Sequence, residues 1–120
     1  MARQSEPALE PLDRWEIQLR KGVLEFVMLL SLRDREQYGF ELISGIAERA
    51  EIDVSEGTLY PLLLRLAKDG LVTFRLAVSS GAPRKYYTLT PHGLALLERM
   101  IPSWSRLVIS VNHLIPGNSP

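Results

Sequence analysis

The stretch SEGTLYPLLLRLAKDGLVTFRLAVSSGAPRKYYTLT, residues 55–90, decides the fold that we predict for this chain. In order it gives a short helix, a strand, a turn rich in Ser, Gly and Pro, and a second strand. Residues 70–97 include no acidic residue, but they include Arg75, Arg84 and Lys85. A helix followed by a hairpin with a basic tip is the element order of a winged helix-turn-helix. The predicted fold class is therefore mainly α (α+β), with this motif at its centre.

The helix in this stretch has two distinct sides. It should begin at Ser55, whose hydroxyl can accept a hydrogen bond from the amides of the first turn. A helical wheel places one group of side chains toward the core: Leu59, Leu62, Leu63 and Leu66. It places a second group on roughly the opposite side: Thr58, Pro61, Arg65 and Lys68. A slim first turn followed by two cations suits the DNA major groove, which is about 12 Å wide; a solvated face is the alternative.

The hairpin is predicted to be a wing. Residues 71–78 alternate as in a half-buried strand, and one face of that strand is apolar: Val72, Phe74, Leu76 and Val78. Residues 79–83 form the flexible tip, and residues 86–89 form the returning strand. Arg84 and Lys85 sit at the end of the tip, where two cations could reach a neighbouring DNA groove or backbone. A purely structural hairpin with solvated cations is the alternative.

The N-terminal half supplies two further helices. Residues 1–11 have little periodic hydrophobicity and are predicted to be a flexible arm. Residues 12–32 place apolar side chains at steps of three and four, which predicts a helix, and their apolar surface is wide enough for burial on two sides. A polar connection, residues 33–37, leads to a short amphipathic helix at 38–50. The winged helix-turn-helix domain is therefore predicted to span residues 12–90.

A long C-terminal helix is predicted at residues 91–115, followed by a tail at 116–120. Thr90 can cap it and Pro91 suits its first position, while Pro102 should kink it. Its apolar side chains step alternately by three and four as in a heptad seam: Leu94, Leu97, Ile101, Trp104, Val108, Val111 and Ile115. The small domain cannot cover so much apolar surface. We therefore expect the seam and the first helix to pack against a second copy of the chain, which buries this apolar surface in a homodimer with two-fold symmetry.

Composition argues against several other classes of protein. The 120 residues include no cysteine and only two histidines, so we expect no disulfide, metal site or cofactor. No nucleophile has a neighbouring base, and we find no working carboxylate pair or phosphate loop, so we expect no enzyme. No apolar run reaches the ~20 residues of a membrane span, and the start, MARQSEPALEP, lacks the apolar core of a signal peptide. A cytoplasmic protein without a membrane partner is expected.

Three blocks of the sequence resemble the PadR-type transcriptional regulators: KGVLEFVMLLSL with YGFELI, then VSEGTLYPLLLRLAKDGLV, then GAPRKYYTLTPHGLALL. They have the family's order and spacing from about Lys21 to Leu97. The resemblance implies a dimeric winged-helix protein that binds double-stranded DNA, usually as a repressor relieved by a small molecule. It implies DNA contacts from the helix start, its cations and the wing: Ser55, Thr58, Tyr60, Arg65, Lys68, Arg84 and Lys85. The strand VTFRLAV departs from the family in being less charged.

Trp104 resembles the tryptophan of multidrug-binding members with short C-terminal regions, where it lines a pore at the dimer interface and stacks flat aromatic compounds. Trp15 and Phe26 could complete such an effector site; a tryptophan that only packs the interface is the alternative. The predicted function is a ligand-responsive repressor that binds an inverted-repeat operator as a homodimer. A winged-helix module that uses the same surface for protein–protein contact is the other reading, since the net charge is zero.

Overall fold

The computed structural model describes residues 9–78 and 80–117. Within them the chain forms α1 (Pro11–Leu32), β1 (Gln37–Tyr38), α2 (Gly39–Ala50), α3 (Glu56–Lys68), β2 (Val72–Ala77), β3 (Arg84–Leu89) and α4 (Pro91–Asn112). The three strands form one antiparallel sheet in the order β1-β3-β2. The helices α2 and α3 with the hairpin β2–β3 make a winged helix-turn-helix, and α4 is the long final helix. The predicted fold class is confirmed.

Hydrogen bonds from local side chains start two of the helices. Ser55 Oγ accepts from the amide of Thr58 at 3.2 Å, which caps α3 as its sequence predicts. Thr90 Oγ1 accepts from the amide of Gly93 at 2.9 Å and donates to the carbonyl of Gly70 at 2.6 Å. Thr90 therefore caps α4 and also ties its first turn to the end of α3.

Two glycines allow this close connection between α3 and α4. Gly70 ends α3 with φ of 74°, a left-handed conformation that side chains with a Cβ rarely adopt. A Cβ on Gly93 would lie 2.0 Å from the carbonyl oxygen of Leu71, so only glycine lets the backbone of α4 approach this closely. The wing and α4 are thus fixed relative to the end of α3.

One core joins all four helices to the sheet. Its fully buried apolar side chains are Met28, Leu29, Leu32, Leu42, Ile46, Leu59, Leu63, Leu66 and Leu97. Each such side chain contributes roughly 1.5–3 kcal/mol by leaving water. Gln37 is a buried polar residue at the edge of this core, and its Nε2 donates to the carbonyl of Ser31 at 2.5 Å. That bond holds β1 against the end of α1.

The element bounds differ from the predicted ones at several places. The segment at 33–37, predicted to be only a connection, ends in β1, where Gln37 pairs with Tyr87 and Tyr38 with Tyr86. The last helix ends at Asn112, before the predicted residue 115. The predicted arm falls largely on residues 1–8, outside the described residues, and Pro11 already begins α1.

The wing is less buried than its alternating pattern predicts. Val72 is 2% exposed, but Phe74 is 42%, Leu76 is 63% and Val78 is 69% exposed. The prediction of a half-buried strand is wrong beyond Val72, because the hairpin extends past the edge of the helical core. Its apolar face is covered in part, where Tyr87 and Lys85 contact Phe74.

The returning strand also begins earlier than predicted. Arg84 pairs with Ala77 and Lys85 with Leu76, so both cations lie within β3 rather than at the end of the tip. Their side chains therefore project to opposite faces of the hairpin.

Candidate nucleic-acid interface

The start of α3 is exposed and carries hydroxyl groups. Ser55 and Thr58 are both exposed, and their hydroxyl oxygens lie 3.2 Å apart. Because Leu59, Leu63 and Leu66 anchor one side of α3 in the core, the opposite side must face outward. We call that side the outward stripe of α3; it consists of Gly57, Pro61, Leu64 and Lys68, and all four residues are exposed. The helix is thus presented with its first turn and outward stripe open to a partner.

Tyr60 lies on the flank of α3 that faces the wing. A Cβ on Gly39 would lie 2.2 Å from the Tyr60 hydroxyl oxygen, so the tyrosine occupies the space that glycine leaves at the start of α2. Tyr60 keeps 43% of its surface exposed. It borders a groove of about 360 Å³ between α3 and the wing, lined by Tyr38, Gly39, Tyr60, Pro83, Arg84, Lys85 and Tyr87. The hydroxyl of Tyr60 and two cation-bearing residues of the wing therefore border one groove, and the two cationic side chains leave the hairpin on opposite faces.

The two predicted cations of α3 are placed differently. Arg65 Nη2 lies 3.2 Å from Glu25 Oε1, so this side chain is directed toward α1 and its charge is partly balanced there. Lys68 is exposed at the far end of the outward stripe, and no salt bridge involves it within residues 9–78 and 80–117. Exposed ion pairs contribute little, ~0–1 kcal/mol, so Arg65 can exchange Glu25 for a phosphate at small cost.

The wing cations rest on aromatic rings and keep their charges exposed. The guanidinium carbon of Arg84 lies 4.5 Å from the ring centre of Tyr38. The ammonium of Lys85 lies 4.6 Å from the ring centre of Phe74. Such contacts contribute roughly 0.5–1 kcal/mol at exposed sites and restrict the side chains. Arg84 and Lys85 therefore keep their positive ends available to phosphate, one on each face of the wing.

Arg75, the third cation that the sequence places in the hairpin, is neutralised by Glu36. Its Nε donates to Glu36 Oε2 at 2.9 Å, and its Nη2 donates to Glu36 Oε1. These hydrogen bonds lower the pKa of Glu36 and raise the pKa of Arg75. Arg75 also lies over Tyr86, 4.9 Å from its ring centre. The pair ties β2 to the segment before β1, and it leaves the wing with two available cations among the described residues.

The predicted effector residues are brought together only in part. The rings of Phe26 and Trp104 lie 5.8 Å apart at 46°, joining α1 to α4. Trp15 is 58% exposed and lies about 16 Å farther along α1, because each helical residue rises 1.5 Å. One chain therefore pairs Phe26 with Trp104 and leaves Trp15 apart.

The predicted seam of α4 is divided between the core and the surface. Leu97 is fully buried in the core of its own chain and offers no surface to a second copy, while Ile101 and Val108 are half-buried. The exposed members are Leu94 at 40%, Trp104 at 40%, Val111 at 46% and Ile115 at 47%. On α1, Leu12, Trp15 and Leu19 are also exposed. These two helices carry more exposed apolar surface than scattered single residues would explain.

Neither a group of possible metal ligands nor a membrane-spanning helix occurs in the part of the chain that the structure describes. Across residues 9–78 and 80–117, no three or more His, Cys, Asp and Glu side chains gather in a group that could hold a metal ion. None of the helices in those same ranges combines the length and apolar character needed to cross a bilayer.

The sequence and fold match known regulators. Residues 28–99 match the sequence model of the Transcriptional regulator PadR-like family. Transcriptional regulator Rv3488 of Mycobacterium tuberculosis is 32% identical over 104 residues, covering 84% of this chain and 96% of that protein. A PadR-like transcriptional regulator (BC4206) of Bacillus cereus superposes with a TM-score of 0.76 at 42% identity, covering 83% of this chain and 98% of the other. Bacillus subtilis PadR, solved in complex with operator DNA, has a TM-score of 0.62 at 29% identity, covering 66% of this chain and 46% of the other.

Proposed function

The chain belongs to the PadR-like family of transcriptional regulators, and we propose that it represses transcription by binding an inverted-repeat operator as a homodimer. The observation that carries this proposal is the position of α3. Its capped, hydroxyl-bearing start is exposed beside a wing that holds Arg84 and Lys85 with their charges outward. Bacillus subtilis PadR, which was solved in complex with operator DNA, supports DNA as the partner in this proposal.

Each candidate contact has a defined role in this proposal. Ser55, Thr58 and Tyr60 donate or accept hydrogen bonds at base edges and phosphates near the start of α3. The remaining contacts go to phosphates, from Arg65, Lys68, Arg84 and Lys85. Arg65 is the weakest of these because Glu25 competes for it.

A second copy covers the exposed apolar surface of α1 and α4 in this proposal. The contacts come from the exposed and half-buried members of the seam, Leu94, Ile101, Trp104, Val108, Val111 and Ile115. Two-fold symmetry then presents two copies of α3 and two wings to the half-sites of one operator. The alternative use of the wing surface for protein contact predicts a dimer without DNA affinity.

The effector in this proposal is a planar aromatic compound that stacks on Trp104 and Phe26. Their ring distance of 5.8 Å makes a partly exposed aromatic surface at the junction of α1 and α4. Trp15 can join this surface only from the second copy, since it is too far along α1 in its own chain.

Footprinting of the DNA upstream of the chain's own gene and its neighbours tests the proposal. We expect protection of two half-sites with dyad symmetry, an affinity that falls steeply as salt concentration rises, and weaker protection when planar aromatic compounds are added. A Trp104→Ala variant that binds the operator and responds to those compounds like the parent would remove Trp104 from the effector site. Absence of any protected site, or binding that does not depend on salt, would contradict the DNA-binding role.

A further inference from the structure

The middle of the outward stripe of α3 is apolar. Gly57, Pro61, Leu64 and Lys68 follow at steps of four, three and four, so they lie along one side of the helix. Leu64 is 64% exposed, and Pro61 in the preceding turn is exposed as well. The stripe carries no charge before Lys68, near the end of the helix. An apolar pair therefore occupies the position from which a helix in the major groove meets base edges.

The major groove offers one apolar group to such a pair. Guanine, cytosine and adenine present hydrogen-bond donors and acceptors there, whereas thymine adds a C5-methyl group to its acceptor. A leucine can neither donate nor accept a hydrogen bond, so against a C·G pair it would bury the cytosine amino group without a partner, which is unfavourable. Against a T·A pair it buries the methyl group and stabilises the complex.

We propose that Pro61 and Leu64 contact thymine C5-methyl groups in each operator half-site, and that Leu64 selects thymine over cytosine at its position. This inference rests on the proposed DNA-binding function and adds a base preference to it. Side chains three residues apart on a helix are about 5–6 Å apart at Cβ, and base pairs rise about 3.4 Å. The pair can therefore contact thymines one or two steps apart.

The charges and hydroxyl groups around the outward stripe are consistent with DNA bound against it. Lys68 lies one turn beyond Leu64 on α3. Arg84 and Lys85 lie on the wing, across the groove that Tyr60 borders. Phosphate contacts from these three cations would hold the stripe over the base edges between the two backbones. Ser55 and Thr58 remain for polar base edges or phosphates at the start of the helix.

Replacing single thymidines of the footprinted operator by deoxyuridine tests the assignment, because this change removes only the methyl group. We expect binding, measured by fluorescence anisotropy, to weaken about fourfold at each contacted position, the factor that corresponds to burial of one methylene-sized group. One or two positions per half-site should respond, symmetrically about the dyad. Replacing the thymine opposite Leu64 by cytosine should weaken binding further, and 5-methylcytosine should restore part of the loss.

Leu64→Ala should bind the thymidine and deoxyuridine duplexes equally at one of the responsive positions. Lys68→Ala is the matched control on the same stripe: it should weaken both duplexes alike and reduce the salt slope by about one unit, leaving their ratio unchanged. Thermal unfolding should be close to that of the parent for both variants, since both side chains are exposed.

Three outcomes would overturn the assignment: no position responds to deoxyuridine, Leu64→Ala keeps the parental ratio, or Leu64→Ala changes the oligomeric mass, which would assign Leu64 to a protein contact. A parent protein that binds no operator at all contradicts the proposed function instead. Methyl-independent binding contradicts only the inference about Pro61 and Leu64.

Discussion

The helix α3 and the wing lie side by side, but different forces hold them. Three fully buried leucines, Leu59, Leu63 and Leu66, fix α3 to the core. The wing is buried at Val72 and Tyr87. It is otherwise held by pairing of β3 with β1, by the Glu36–Arg75 pair and by an edge-to-face contact between Tyr38 and Tyr86, whose ring centres lie 5.4 Å apart. Apolar burial is insensitive to charge, whereas exposed ion pairs are screened by salt and depend on pH. Changes to the core should therefore act through stability, and changes to the wing should act through DNA binding.

The largest effect is expected for Leu63→Ala. Removing a fully buried leucine leaves a cavity and should destabilise the fold by roughly 2–5 kcal/mol, with DNA binding lost along with the fold. Chemical denaturation measures this loss, and the exposed neighbour Leu64→Ala is the control, with an expected change within about 0.5 kcal/mol. Equal destabilisation by the two variants would show that α3 is not anchored as described.

The double variant Arg84→Ala with Lys85→Ala should do the opposite of Leu63→Ala: it should keep the stability of the fold and weaken DNA binding. We expect little change in thermal unfolding, because both side chains are exposed. The slope of log affinity against log salt concentration should fall by about 2, one unit for each lost phosphate contact. Titrations at several salt concentrations measure the slope, and an unchanged slope would remove both residues from the phosphate contacts.

The junction between the two regions can be altered by Gly39→Ala. Its new methyl group would meet the Tyr60 hydroxyl, and this flexible side chain can move away at small cost in stability. DNA binding should weaken because Tyr60 leaves the groove. Gly45→Ala is the matched control on α2, since its Cβ would lie 3.8 Å from Gln37 Oε1, an ordinary contact. Operator titrations that find both variants equally active would argue against a DNA-binding role for Tyr60.

The smallest effect on global stability is expected for Glu36→Gln, which removes the charge that holds Arg75. Because Arg75 lowers the pKa of Glu36, the pair stabilises the wing above the ordinary glutamate pKa, and this contribution is lost as pH falls through the lowered value. Amide protection in β2 and β3, taken relative to the intrinsic exchange rate at each pH, should fall at neutral pH in the variant and at acidic pH in the parent. Amide protection in α3 should be the same in the variant and the parent. Parental protection in the variant's wing would contradict this interpretation.

Sequence predicted best those features of the fold and site whose partners are close along the chain. The caps Ser55 and Thr90 act within three residues of their partners, and the leucines of α3 follow a helical period. The availability of the cations could not be predicted in this way. Glu36 is 39 positions from Arg75, and Glu25 is 40 positions from Arg65, so no local pattern links either pair.

Sequence alone determined where the helices begin, which side of each is apolar, and that a basic hairpin follows α3, because caps and periodicity depend on residues a few positions apart. Tertiary structure decided which apolar faces are covered and which charges are available to a partner. An alternating pattern identifies an apolar face of β2 but not whether anything covers it, and here the face beyond Val72 is exposed. A basic residue in the sequence is likewise available to DNA only if no carboxylate reaches it, and folding brings Glu36 to Arg75 while leaving Arg84 and Lys85 on aromatic rings beside α3.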